Sequence, residues 1–589
     1  MDLDRRRQEN PRWHSLKIVE ADVRLVSVLS GTERKSSKAS LASFLAACVV
    51  VFVCLFSQLG SIGLVGPDEP RYGWIARAMA QTGDWVTPRL YGQPWFEKPV
   101  LYYWAAAVGF KLHLQAAWAA RLPSSFAALV TALAIGWLGW KHYGAEAGLR
   151  RSPALFAPLL FSCTVAAIGF ARAATPDMLF SASIALAMAS AAWELRSSGG
   201  LRGFGAVSEA LRTDWIAPLL FGAFLGVGVL AKGPAAVVLA GGSMLLWAAA
   251  TRRWREAVRL AHPATIVAFC VVALPWYLVC ALRNPDFLHV FVFQHNFERY
   301  LTPMFQHRQP VWFFGPIVLA ALLPWTIVLW PMAREGWRVW HENSWRDSPG
   351  FFFACWAMFP VVFFSFSESK LPGYVLPSMP SLALLASIVL TRAISSRASI
   401  AATDAKTISI GVGATWIVLG VVSLLWVRRV SPAAWDVAGH DVSVVATVAI
   451  VGGIGVAALG SLRKQLWLPL AFGLVAICTE AIGIGILPPL DPFFSARWHA
   501  QLLRDDRHPD RIFTYELPRS WQYGLAFYLY RELPGWSPAD PDPALVLTTP
   551  SGFEQIRQLG RFEGELDETD RGILYVPVAP MARHSGIEH

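Results

Sequence analysis

Residues 41–72 read LASFLAACVVVFVCLFSQLGSIGLVGPDEPRY. The first part is an uncharged apolar run. A helix needs about 20 such residues to cross the hydrocarbon core of a bilayer. Asp68, Glu69 and Arg71 follow almost at once. Ionisable groups at membrane depth are costly, and where they persist they point to function. An anchor followed directly by a charged cluster predicts a membrane protein with its chemistry at one membrane face.

Upstream, residues 1–40 are polar and basic, with Arg5, Arg6, Arg7, Arg12, Lys17, Arg24, Arg34, Lys35 and Lys38. No cleavable signal peptide is visible, so the late, long apolar run reads as an anchor that stays. The whole chain fits this picture. Of 589 residues 54% are hydrophobic and 16% charged, and mean hydropathy is +0.41. A soluble chain carries about 25% charged residues. The net charge of +10 calls for no nucleic-acid partner, because Lys and Arg kept in cytoplasmic loops produce it. Cys48, Cys54, Cys163, Cys270, Cys280, Cys355 and Cys478 all lie in or beside apolar runs without CxxC spacing. They read as small core hydrophobes.

Downstream, thirteen spans are predicted, near 41–62, 121–141, 152–171, 175–195, 214–231, 233–250, 262–282, 311–332, 350–367, 371–392, 406–427, 441–461 and 465–487. Charge supports the count. With the N-terminus in the cytoplasm, alternate loops carry the basic residues: Lys141, Arg150 and Arg151, then Arg196 to Arg212, then Arg252 to Arg259, then Arg334 to Arg346, then Arg392 to Lys406, then Arg463 and Lys464. That is the bias expected of cytoplasmic loops. An odd number of spans puts the tail outside, in the periplasm. The organisation is therefore a basic N-terminal tail (1–40), a membrane domain (41–487) with a long first outside loop (63–120), and a C-terminal periplasmic domain (488–589).

Within the first loop, Ile75, Met79 and neighbouring aromatics share one face of an amphipathic helix. Such a helix can lie in the membrane interface. The tail alternates RIFTYEL (511–517), a helix over 521–533, ALVLTT (544–549), a helix over 552–559 and GILYVPV (572–578). That is a small α/β domain of about one hundred residues, near the lower size limit for burying its own core.

The outside face gathers the informative charges. Asp68 and Glu69 can supply a general base and a metal or hydrogen-bond partner. They equally suit the first turn of a helix, where carboxylates favour the dipole. Glu97-Lys98, between Phe96 and Pro99, can bind phosphate or form an interfacial ion pair. Arg172 and Asp177 flank a loop too short to float free, as a functional acid or as a structural pair. Lys232 lies in a short turn, as do Glu368 and Lys370 before Tyr374. Cations gathered at one depth suit phosphate recognition, and a carboxylate beside them can take a proton. No DxD, glycine-rich phosphate loop or Rossmann fingerprint appears in the tail, so no nucleotide cofactor is expected.

The series DEPRYGWIARAM, GDWVTPRLYGQPWFEKPVLYYW, RAATPDMLF, LAKGP, HRQPVWFF and SKLPGYVLP resembles the aminoarabinose transferases that modify lipid A. It also resembles the wider group of protein-mannosyltransferase-like membrane glycosyltransferases. The resemblance runs from about Leu41 to Pro380. It implies a polytopic α-helical GT-C fold with about thirteen transmembrane helices and a small periplasmic α/β domain, in a bacterial inner membrane. It implies a sugar donor carried on undecaprenyl phosphate and an envelope acceptor such as lipid A. In that family pattern Asp68 matches the catalytic carboxylate and Asp177 a second essential acid. Arg71, Lys98 and Lys232 match the residues that hold the carrier phosphate, and Tyr374 an aromatic beside it. Glu97 and His295 match a divalent-metal site, zinc in the family. His307 falls in a family-like segment without an assigned role. Trp95 stands where aminoarabinose transferases tend to carry Tyr, and the segment around His295, QHNFERY, is only loosely similar. Three other readings remain open: the same transfer onto protein Ser or Thr, a polyprenyl-lipid transporter without chemistry, and an envelope scaffold.

Overall fold

The computed structural model describes residues 41–143, 152–197, 215–291, 309–395, 399–462, 465–504, 511–540, 542–562 and 573–579. The first apolar helix, α1, spans Leu41–Phe56. A loop then leads into α2, Asp68–Thr82. Pro67 precedes α2, Asp68 and Glu69 occupy its first turn, and Gly83 ends it. Gly83 sits at φ 74° with its N–H bonded to the Met79 carbonyl, a left-handed conformation that glycine adopts without a Cβ penalty. The chain returns through a small hairpin, β1 (Arg89–Leu90) against β2 (Gln93–Pro94). Its two-residue turn, Tyr91 and Gly92, has φ values of 51° and 81°, as a tight hairpin turn demands. Helices α3 (Leu101–Lys111) and α4 (Ala116–Tyr143) follow.

The core of the bundle is α7, Asp177–Ser197, of which 89% of the apolar window is buried against other helices. It packs on α4, on α8 (Ile216–Lys232) and on α9 (Ala235–Thr251). The helices within 400–429 and 432–461 are the opposite case, with 33% and 28% of their windows buried. Apolar surface left uncovered on this scale belongs against lipid. Seven helices among the described residues are long and apolar enough to cross a membrane.

Two predicted spans are broken. Residues 153–171 form α5 (Pro153–Ser162) and α6 (Val165–Ala171), bent by 65°. Thr164 accepts a hydrogen bond from the Ala167 N–H and so starts α6 afresh. Residues 311–341 bend by 113°, so the span expected over 311–332 is bent within its length. Beyond the bend, Leu329–His341 carries exposed Trp330, Trp337 and Trp340 beside Arg334 and Arg338. Tryptophans with a basic face suit the membrane interface, not its interior. Four shorter apolar helices complete the set: α1, α8, α9 and Pro349–Ser365.

The tail holds a three-stranded sheet in the order β3–β4–β5. β3 (Ile512–Thr514) runs parallel to β4 (Ala544–Thr548), and β5 (Leu574–Val578) pairs antiparallel to β4. Helices Arg519–Leu529 and Pro550–Gln558 connect them. The tail is fastened to the membrane domain beside α2. The Leu64 N–H donates to the Tyr528 hydroxyl at 2.8 Å. Arg497 bonds Asp491 and donates to the carbonyls of Gly60 and Ser61. The amphipathic helix expected in the first loop is α2. It is clamped between α3 and the 519–529 helix, with Tyr72, Ile75, Ala76 and Met79 buried.

Candidate active site

A cavity of about 600 Å³ opens where α2, α7, α8 and the 349–365 helix converge. Asp68, Glu97, Lys98, Asp177, Lys232 and Tyr374 all line it. The polar residues come from α2, from the loop after the hairpin, from the first residue of α7 and from the last residue of α8. Apolar walls are supplied by Phe170, Phe180, Val238, Phe363, Phe364 and Leu371. On this apolar side Val238 of α9 is 41% exposed. Gly373 lets the wall close in: a Cβ there would meet the Phe170 ring at 2.9 Å.

The charges interlock. Arg71 Nη2 lies 2.5 Å from Asp68 Oδ1 and 2.9 Å from Glu97 Oε2. Lys98 Nζ is 3.3 Å from Glu97 Oε1. Lys232 pairs with Asp177, and its ammonium sits 5.1 Å from the Tyr374 ring and 5.5 Å from the Phe180 ring, within cation–π range. The Asp68 side chain is 53% exposed, against 13% for Glu97 and 20% for Asp177. Asp68 is therefore the carboxylate that presents a face to an incoming group. The protein packed around it withdraws water and raises its pKa above the ordinary value. Arg71 opposes that rise and the Glu97 charge adds to it. A base shifted in this direction is better matched to neutral pH.

Glu69 does not share the site with its neighbour. It is 5% exposed and accepts two bonds from Arg121, at 3.1 and 2.7 Å. It also accepts the N–H of Val65 at 2.8 Å and the N–H of Ala174 at 2.7 Å. Arg121 in turn donates to the carbonyls of Leu59, Ile62 and Gly63. Successive helical residues point about 100° apart, so Asp68 faces the cavity while Glu69 faces the interior. Of the two readings the sequence leaves open for this carboxylate pair, Glu69 follows the structural one: it ties the entry to α2 to the loop that leads into Asp177. The Arg172–Asp177 pair considered from the sequence is absent too. Arg172 donates instead to the carbonyls of Val53, Cys54 and Ser57 at the end of α1. Lys370 also belongs to structure, with its ammonium bonded to the carbonyls of Gln309 and Ser367.

Of the expected metal pair, His295 lies outside the described residues, as does His307. Glu97 has both oxygens facing cations, Arg71 and Lys98. No group of three His, Cys, Asp or Glu that could hold a metal ion occurs among the described residues.

Sequence reasoning missed several members of the site. Tyr72 lines the cavity. Tyr103 is 1% exposed, and its hydroxyl has no hydrogen-bond partner among the described residues. Arg121 had a readable signal, a lone charge at the edge of a predicted span. Tyr523, whose ring lies 5.7 Å from the Arg71 guanidinium, had none.

Residues 40–291 match the family model for dolichyl-phosphate-mannose-protein mannosyltransferase. The undecaprenyl phosphate-alpha-4-amino-4-deoxy-L-arabinose arabinosyl transferase of Edwardsiella ictaluri is 32% identical over 321 residues, covering 54% of this chain and 54% of the relative. The protein of the same name from Serratia proteamaculans is 34% identical over 325 residues, with 54% coverage of each. The chain thus spans about half the length of the curated relatives it matches. In three dimensions it superposes on ArnT from Cupriavidus metallidurans bound to undecaprenyl phosphate, with a TM-score of 0.72 and 23% identity, over 91% of this chain and 97% of the other. The chain is therefore similar to the aminoarabinose transferases, in sequence over about half its length and in fold over nine-tenths of it, and has the polytopic α-helical GT-C architecture with a small β-sheet domain appended.

Proposed function

We propose that the protein is an inverting glycosyltransferase that moves a sugar from undecaprenyl phosphate to an envelope acceptor of the lipid A type. The observation that carries this reading is the two-ended cavity: Lys98, Lys232 and an available carboxylate paired with Arg71 at one end, an apolar wall with exposed Val238 at the other. A polyprenyl-phosphate sugar has the same two ends.

In this reading the donor enters sideways from the bilayer, with its chain along Phe363, Phe364 and Val238. Arg71, Lys98 and Lys232 take the phosphate, and Tyr374 covers it. Asp177 orients Lys232, and Glu97 orients Arg71 and Lys98. The acceptor hydroxyl gives its proton to Asp68 as its oxygen attacks the anomeric carbon from the face opposite the phosphate. The bond between that carbon and the phosphate oxygen breaks, its electron pair stays with undecaprenyl phosphate, and the cations stabilise the growing charge. No step is routed through a metal. Glu97 with His295 remains the metal pair that the resemblance implies, and a chelator series on the reconstituted protein tests it. Thirteen spans, a cytoplasmic N-terminus and a periplasmic tail belong to the same proposal. Each predicted span falls on an apolar helix or a bent pair, which supports that count.

The match of residues 40–291 to a protein-mannosyltransferase family supports a second reading, transfer onto protein Ser or Thr. Reconstitution in liposomes with a panel of undecaprenyl-phosphate sugars separates the two. Release of undecaprenyl phosphate with lipid A as acceptor supports the first; release only with a protein acceptor supports the second. No release with any donor would sink both. Lys232→Ala is expected to raise the donor KM about ten- to hundredfold, the worth of a charge-assisted hydrogen bond to phosphate. An unchanged donor KM would remove Lys232 from the phosphate site.

A further inference from the structure

Arg71 is held in an unusual way. Its side chain is 11% exposed. One Nη reaches both Asp68 and Glu97, while Nε is buried with no hydrogen-bond partner among the described residues. Hydrogen bonds therefore fix one corner of the guanidinium and leave its plane free to tilt. Three rings supply what is missing: Tyr72 at 5.2 Å, Trp95 at 5.5 Å and Tyr523 at 5.7 Å from the guanidinium carbon. Tyr72 and Trp95 come from the first outside loop. Tyr523 comes from the tail domain, on the 519–529 helix packed along α2. Its ring is backed by Tyr91 at 6.4 Å, which keeps it in place over Arg71. Farther along the same contact, Tyr530 stacks on Trp74 at 5.4 Å and lies 4.3 Å from the Arg77 guanidinium. That second contact fastens the two domains without touching Arg71.

We propose that Tyr523 is a positioning residue of the site: its ring closes the third side of the box around Arg71 and aims the guanidinium at the carrier phosphate. The inference rests on the proposed donor. It makes the tail domain part of the donor site, a role that no motif within the tail suggests. The ring face does the work, so the hydroxyl is dispensable.

The test is equilibrium binding of labelled undecaprenyl phosphate to the full chain in nanodiscs. Tyr523→Leu is expected to bind about five- to tenfold more weakly, the loss of one partly desolvated cation–π contact. Tyr523→Phe should stay within about twofold of the parent. Tyr530→Leu loosens the same interdomain contact and should also stay within about twofold in carrier affinity. Wild-type affinity in Tyr523→Leu, or an equal loss in Tyr530→Leu, overturns the proposal. A second readout does not depend on the carrier: the ¹⁵N signal of the Arg71 Nε, assigned through Arg71→Lys. Its order is expected to persist in Tyr523→Phe and collapse in Tyr523→Leu. If wild-type protein bound no carrier, the donor reading would fail, and this signal alone would decide whether Tyr523 positions Arg71.

Discussion

Asp68→Asn is expected to lower transfer about 10²–10⁴-fold, the usual contribution of a general base, with protein yield and donor affinity little changed. Asparagine keeps the shape and can still accept a bond from Arg71, so the loss isolates the proton-accepting function. Donor binding is the control, because the phosphate is held by other side chains. Turnover within a few-fold of the parent would remove Asp68 from that role. The same group sets a pH dependence. Transfer requires the ionised carboxylate, so kcat/KM should fall as pH drops through the Asp68 pKa. Because withdrawal of water raises that pKa, the acid limb should lie above the ordinary aspartate value of about 3.9. A profile flat down to that value would contradict the assignment.

Arg121→Met is expected to be the most damaging structural change near the site. Removing the cation leaves the buried Glu69 side chain without its partner, and three backbone carbonyls lose their donor. Breaking a buried pair from one side costs about 3–5 kcal/mol. The damage should reach activity as well, since Glu69 holds the Ala174 N–H in the approach to Asp177. Thermal unfolding in detergent measures the first effect. The double variant Arg121→Met with Glu69→Leu should recover part of the lost stability, because no uncompensated charge remains buried. An unfolding temperature unchanged in the single variant would show that the pair carries no structural load.

Much of the site was readable from the sequence because charge is scarce there. In a chain this apolar, Asp68, Glu97, Lys98, Asp177 and Lys232 stand out one by one in loops and turns that the charge pattern assigns to one side, and the fold brings all five to one cavity. What could not be read is direction. Asp68 and Glu69 are neighbours in sequence, and only the helical rotation of α2 sends one to the cavity and the other to Arg121. The bend between Ala321 and Thr326 was hidden for a related reason: apolar residues continue across it, so hydropathy sees one span where the chain turns by 113°. The strands of the tail fell within the stretches read as strands, since alternation with turn signals is a local property. The contact of Tyr523 with Arg71 is not local, and no pattern within either segment announces it.

The apolar wall of the cavity, where Val238 is exposed beside Phe363 and Phe364, is the entrance in the proposed reaction and decides how that reaction is to be counted. A donor admitted through that wall never passes through water. Its effective concentration is then a mole fraction in a two-dimensional film, and bulk molarity has little meaning. Added detergent would act as a diluent: at constant total donor, rates should fall as micelle content rises, and apparent KM values from different detergents should agree only when expressed per amphiphile.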